Sequence, residues 1–102
     1  MHALLLAVTC LAAVPAPPMG HYAKDETGRI GADTMAALDL IGTKVSAAGH
    51  GQLGVLVVKT TNGVPPRTFA TDVFNGWGIG HRDWNNGILL FVALDDRKAE
   101  IV

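Results

Sequence analysis

Apolar residues follow two distinct spacings along this chain. Over residues 31–49, GADTMAALDLIGTKVSAAG, the positions Met35, Leu38, Ile41, Val45 and Ala48 recur at steps of three and four. That spacing predicts a helix with one apolar face. Asp33 falls in the first turn, where a carboxylate complements the helix dipole, and Gly49 ends the run. Residues 53–60, LGVLVVKT, are instead almost continuously apolar and rich in β-branched side chains, as a strand covered on both faces requires. TNGV (61–64) reads as a loop. PPRTFATDVFNGW (65–77) reads as a second helix, with proline in its first turn and an apolar face of Phe69, Val73, Phe74 and Trp77. GILLFVAL (87–94) is a second apolar strand, DDRK (95–98) a tight turn, and the following AEIV a third strand, antiparallel to its predecessor.

The predicted order is α-β-α-β-β. The two apolar strands should be central and parallel, joined by the helix between them, with helices on both faces of the sheet. The expected fold class is α/β, an incomplete three-layer α/β/α sandwich of Rossmann-like type. The chain stops in what reads as mid-strand, KAEIV, which suggests a truncated domain.

The first twenty residues have another character. ALLLAVTCLAAV (3–14) is an apolar run too short to span a bilayer, and the proline-rich PAPPMG (15–20) follows it. This reads as a secretory signal peptide over 1–18, with mature protein starting between Pro15 and His21 and the folded domain over 19–102. The alternative is a buried N-terminal helix. Cys10 is the only cysteine, so a processed chain has no disulfide, thiolate nucleophile or cysteine metal ligand. A net charge of −1 with 17% charged residues gives no electrostatic reason to bind nucleic acid or an anionic membrane.

The densest chemistry is in GWGIGHRDWNNG (76–87). A phosphate-binding glycine loop runs from a strand into a helix, because only that order aims free N–H groups and the helix dipole at the anion. This stretch runs from a helix into a strand, so it is a connector. Gly76 or Gly78 caps the helix, and Gly87 lets the chain pack closely as it begins the strand. His21, His50 and His81 show no zinc spacing, and no EF-hand pattern occurs. Ser46, the only serine, sits in a helix away from any nucleophile elbow. DETG (25–28) and DDR (95–97) are turn-forming sequences.

Taken together, HYAKDETGRIGADTMAALD (21–39), GQLGVLVVKTTNGVPPRTFATDVFNGWGIG (51–80) and NNGILLFVALDDRKAEIV (85–102) resemble the TPM domain family. That family includes thylakoid acid-phosphatase-like proteins and many bacterial envelope proteins. The resemblance implies an α/β/α sandwich, export, a divalent cation that is usually calcium, and acid phosphatase activity in some members. It also implies a glycine-rich segment, a later acidic residue, final helices and often a membrane anchor beyond position 102. The family's Asp before the first helix falls on Asp25, its Asx-Asn-Gly start of the strand on Asn85, Asn86 and Gly87, and its basic turn residue on Arg97. Asn85 stands where many relatives carry Asp. The implied cation ligands are therefore Asp25, Asn85 and Asn86. A phosphate would use Arg97 and the backbone of the 61–64 loop, at the opposite end of the last apolar strand from Asn86.

Two functions are expected on this basis. The first is an exported, cation-binding module acting on a membrane protein or another envelope partner. The second is a metal-dependent acid phosphatase.

Overall fold

The computed structural model describes residues 14–18, 20–49, 51–79 and 87–102. Its elements run β1 (Ala23–Asp25), α1 (Ala32–Ala47), β2 (Gln52–Val58), α2 (Pro66–Trp77), β3 (Gly87–Ala93) and β4 (Lys98–Ile101). The strands form one sheet in the order β1-β2-β3-β4. β1 and β3 flank β2 in parallel, and β4 returns antiparallel to β3.

β2 is the centre of the core because it is apolar on both faces. Gly54 through Val58 are all buried. Alternation along the strand sends Leu56 and Val58 to one face and Val55 and Val57 to the other. On the first face they align with Phe91 and Ala93 of β3, and α2 packs over this row with Ala70 and Val73 fully buried. The Phe69 ring stacks on Phe91 with centroids 5.2 Å apart. Phe74 and Trp77 complete the expected apolar face, though only partly buried. On the second face Val55 and Val57 are joined by Ala23. Here α1 lies against β1 and β2.

Three details depart from the sequence reading. β1 was not expected: three residues are too few to show any periodicity, and they form a strand by pairing with Val55–Val57. The docked face of α1 is rotated. Gly42 is its buried residue, while Ile41 is 50% exposed. The cause is Tyr22, whose ring sits where a side chain on Gly42 would have been: a Cβ there would come within 2.5 Å of it. The hairpin turn is Leu94–Arg97, one residue earlier than DDRK suggests, so that Lys98 already pairs with Ala93.

The glycines of the connector behave as expected where they are described. Gly78 ends α2 in the left-handed region at φ 64°, which costs glycine no strain. Gly87 admits the Ile79 carbonyl, which would lie 2.6 Å from any Cβ. Residues 80–86, including Asn85 and Asn86, lie outside the described residues.

Candidate functional site

In an open α/β sheet, ligands commonly bind beyond the carboxyl ends of the parallel strands. Here that end carries the β1–α1 loop, the loop over 59–64 and the β3–β4 turn. Together they hold Asp25, Glu26, Arg29, Thr60, Thr61, Asp95, Asp96 and Arg97. Beside them opens a cavity of about 580 Å³, whose lining includes Glu26, Thr60, Thr61, Val64, Phe69 and Asp72, with Val14 and Pro15 along one side.

Asp25 ends β1 and organises the loop that follows. Its Oδ1 accepts the Thr27 N–H at 2.8 Å and the Thr27 hydroxyl, and its Oδ2 accepts the Ile30 N–H at 3.0 Å. This is an Asx turn, the ordinary role of an aspartate two residues before a free backbone donor. Burial pushes the carboxyl up, but the donors of Thr27, Ile30 and Gly28 outweigh it and hold its pKa below the usual aspartate value.

Asp96 does the same for the neighbouring loop. Its carboxylate accepts the Thr61 N–H at 3.0 Å and the Thr60 hydroxyl at 2.9 Å. Those donors, the Thr61 N–H first, hold its pKa below the ordinary value. Arg29 spans the end of the sheet to reach Asp95, Nη1 to Oδ1 at 2.7 Å. Arg97 occupies the left-handed region at φ 54° and leads the chain into β4. Of the backbone donors in the 61–64 loop beside Arg97, the Thr61 N–H bonds Asp96, the Asn62 N–H bonds the Thr60 hydroxyl and the Val64 N–H bonds the Thr61 carbonyl. The two prolines at the start of α2 offer no N–H groups to an anion there.

Asp25 is level with Val57, and Gly87 is level with Gln52. Five residues of strand at about 3.3 Å each separate the two levels by about 17 Å. A calcium ion holds its oxygens at about 2.3–2.6 Å, so Asp25 and the start of β3 do not meet in one coordination sphere. Asn85 and Asn86, the other two expected ligands, lie outside the described residues. Among the described residues, no three His, Cys, Asp or Glu side chains are grouped as a metal centre requires.

A third aspartate, missed by sequence reasoning, works at the other end of β1. Asp39 projects from α1, and its Oδ1 accepts the Tyr22 N–H at 2.8 Å and the Ala23 N–H at 3.0 Å. Its Oδ2 lies 2.9 Å from His21 Nδ1. Burial raises its pKa, and the Tyr22, Ala23 and His21 contacts more than reverse this. A polar residue in the middle of an amphipathic helix was the available signal.

Among the described residues no helix is long and apolar enough to cross a membrane. Among curated proteins, none matches the chain. The solution NMR structure of the N-terminal domain of the cg2496 protein from Corynebacterium glutamicum shares the fold, with a TM-score of 0.68 at 18% identity. The match covers 88% of this chain but 57% of that one, so the chain spans little more than half the length of its structural neighbour. Residues 23–102, from β1 through β4, match the TPM domain. With the sheet, the helix order and the matched span in agreement, the chain belongs to the TPM domain family.

Proposed function

We propose that this TPM-domain chain is an exported module that acts by binding a membrane protein or another envelope partner, and not by hydrolysing phosphate esters. The observation that carries the reading is the state of the donors at the carboxyl end of the sheet. The Thr61 N–H and Thr60 hydroxyl bond Asp96, and the carboxylate of Asp25 is engaged by its own turn. Neither aspartate is left as a free base or nucleophile facing the cavity. What remains there is a cleft with apolar walls from Val58, Val64 and Phe69 and charged groups from Glu26, Lys59 and Asp72, which suits recognition. The apolar run over 3–14 supports export.

The test is an assay of the full chain on p-nitrophenyl phosphate at acid and neutral pH, with calcium and with chelator, alongside cell fractionation of the tagged protein. No turnover above buffer and an extracytoplasmic pool are expected. Calcium-dependent turnover, or strictly cytosolic protein, overturns the reading. Asp25→Ala separates the turn role from a cation role. It should lower unfolding stability by about 1–2 kcal/mol through lost hydrogen bonds, equally with calcium and with chelator. A stability loss that appears only in the presence of calcium would show that Asp25 is a ligand.

A further inference from the structure

Residues 14–18 hold a groove that α2 leaves open. Lys24 is level with Leu56, so its side chain is on the face of the sheet that α2 covers. But α2 lies against β3 and β4, and the β1 side of that face has no helix among the described residues. The segment Val14–Pro18 lies there instead. Val14 packs on the core cluster beside α2. The Trp77 indole Nε1–H donates to the Pro15 carbonyl at 2.8 Å, and the Lys24 ammonium donates to the Ala16 carbonyl at 2.8 Å. Pro17 and Pro18 border a small cleft of about 80 Å³ with Tyr22 and Trp77.

The chemistry of this contact is specific. Three of the five residues are proline, which fixes φ near −65° and pushes each preceding residue into extended backbone. Such a segment has few N–H groups and presents mainly carbonyls. The groove answers with two donors, one on an aromatic ring and one on a long cationic side chain, and Trp77 and Ile79 line the cleft beside Pro17 and Pro18. Aromatic grooves that read stiff proline-rich peptides are built this way, because the ligand loses little entropy on binding. The groove is also divided from its occupant by a turn. Gly20 stands in the left-handed region at φ 74° between the segment and β1. Processing between Pro15 and His21 would remove part or all of the occupant and leave both donors facing solvent.

The geometry points to a proline-rich peptide site between β1 and α2. The chain's own residues 14–18 fill it in cis, and an extended proline-rich segment of an envelope partner fills it in trans after processing. This names the partner chemistry for the binding reading above and rests on it.

The experiment uses the full chain and the blocked peptide Val-Pro-Ala-Pro-Pro, following the Trp77 indole N–H resonance, which is assigned by its absence in Trp77→Phe. A segment tethered by a few residues competes at an effective concentration in the millimolar range, so the unaltered chain should respond weakly. Val14→Asp should expel the segment and move the indole resonance toward its solvent-exposed position. Added peptide should then restore it in a saturable titration, at least about tenfold tighter than in the unaltered chain. Trp77→Phe in that background should weaken peptide binding, read from the backbone amide of Lys24. The same peptide with glycine in place of all three prolines should bind at least about tenfold more weakly, because it must give up more conformational freedom. If Val14→Asp does not fold, Pro15→Gly loosens the segment without adding charge and is read in the same way. An indole resonance unmoved in the folded variant, no saturable restoration, or equal affinity for the glycine peptide overturns the proposal. Such a result with hydrolysis still absent leaves the binding reading intact, whereas phosphatase turnover removes that reading and not the groove.

Discussion

Helix α2 meets the sheet with Ala70 and Val73 fully buried and Phe69, Phe74 and Trp77 packed around them. Helix α1 meets it with Gly42, the one buried residue of its sixteen, and with Asp39, whose carboxylate bonds the backbone of the strand beneath. The first docking is a matter of apolar area, the second of close approach and hydrogen bonds. Area tolerates small errors of fit, since each side chain contributes on its own. Close approach does not: Gly42 and Tyr22 either fit or one of them moves. The same sheet is therefore held on one face by side chains and on the other by the absence of one.

The comparison breaks most visibly under α2. Phe91 is completely buried and stacked on Phe69, so Phe91→Ala should cost about 3–5 kcal/mol in unfolding free energy. Phe74 belongs to the same helix face by sequence but is only partly buried. Phe74→Ala should cost less, about 1–2 kcal/mol in proportion to the area it hides. Denaturant midpoints of the two variants check the difference. Equal losses would mean that α2 is seated differently from the arrangement described.

What the sequence made legible divides along the same line. Helix α2, strands β2 and β3 and the hairpin into β4 announce themselves because their burial is written in apolar side chains at regular spacing. Helix α1 was legible as a helix but not in its orientation. Glycine at position 42 reads as a weak spot in a helix, and nothing in the spacing says that a tyrosine twenty residues earlier fills the space. The candidate site was legible as turn chemistry and illegible as geometry. DETG and the DDR turn form the loops their composition suggests. The level of Asp25 on the sheet depends on β1, and a three-residue edge strand has no pattern of its own. Only its parallel pairing with Val55–Val57 fixes Asp25 at the carboxyl end, about 17 Å from the level of Gly87. The segment 14–18 reads as leader and also packs against the domain, two roles that composition does not distinguish.

Gly42→Ala sharpens the comparison. In a free helix the change is favourable by about 1 kcal/mol, because alanine gives up less backbone entropy. Here the new Cβ would meet Tyr22 Cβ and Cγ at 2.5 Å, closer than carbon atoms approach. The net outcome should be a loss of about 1–3 kcal/mol, the usual scale of overpacking. Tyr22→Gly should remove the obstacle, Cβ and ring together, so that adding Gly42→Ala to it becomes neutral or stabilising. The measurement is a double-mutant cycle on unfolding free energies. Additive losses would mean that the glycine matters for something other than the ring.

The smallest effect belongs to the polar part of the α1 contact, and its sign depends on pH. Asp39 bonds two N–H groups of the β1 edge and touches His21. Burial opposes its charge, but those contacts outweigh burial and hold its pKa below the ordinary aspartate value. A carboxyl whose folded pKa is depressed stabilises the fold above its unfolded pKa, near 3.9. That contribution is lost as pH falls through the lower folded value, where the folded state must also take up the proton. Asp39→Asn keeps an oxygen to accept both N–H groups and removes the charge. Hydrogen bonds to a charged acceptor are stronger than those to a neutral one, so the substitution should cost about 1 kcal/mol at pH 7. The cost should begin to shrink below about pH 4, as the unfolded chain takes up the proton, and should be gone once the pH is below the lower folded value. Asp25 and Asp96 also have lowered values, so the variant should still lose stability in acid, along a shallower slope. Thermal or urea unfolding of both proteins between pH 2 and 7 checks this. Parallel curves over that range would mean that the Asp39 charge adds nothing to the hold of α1 on β1.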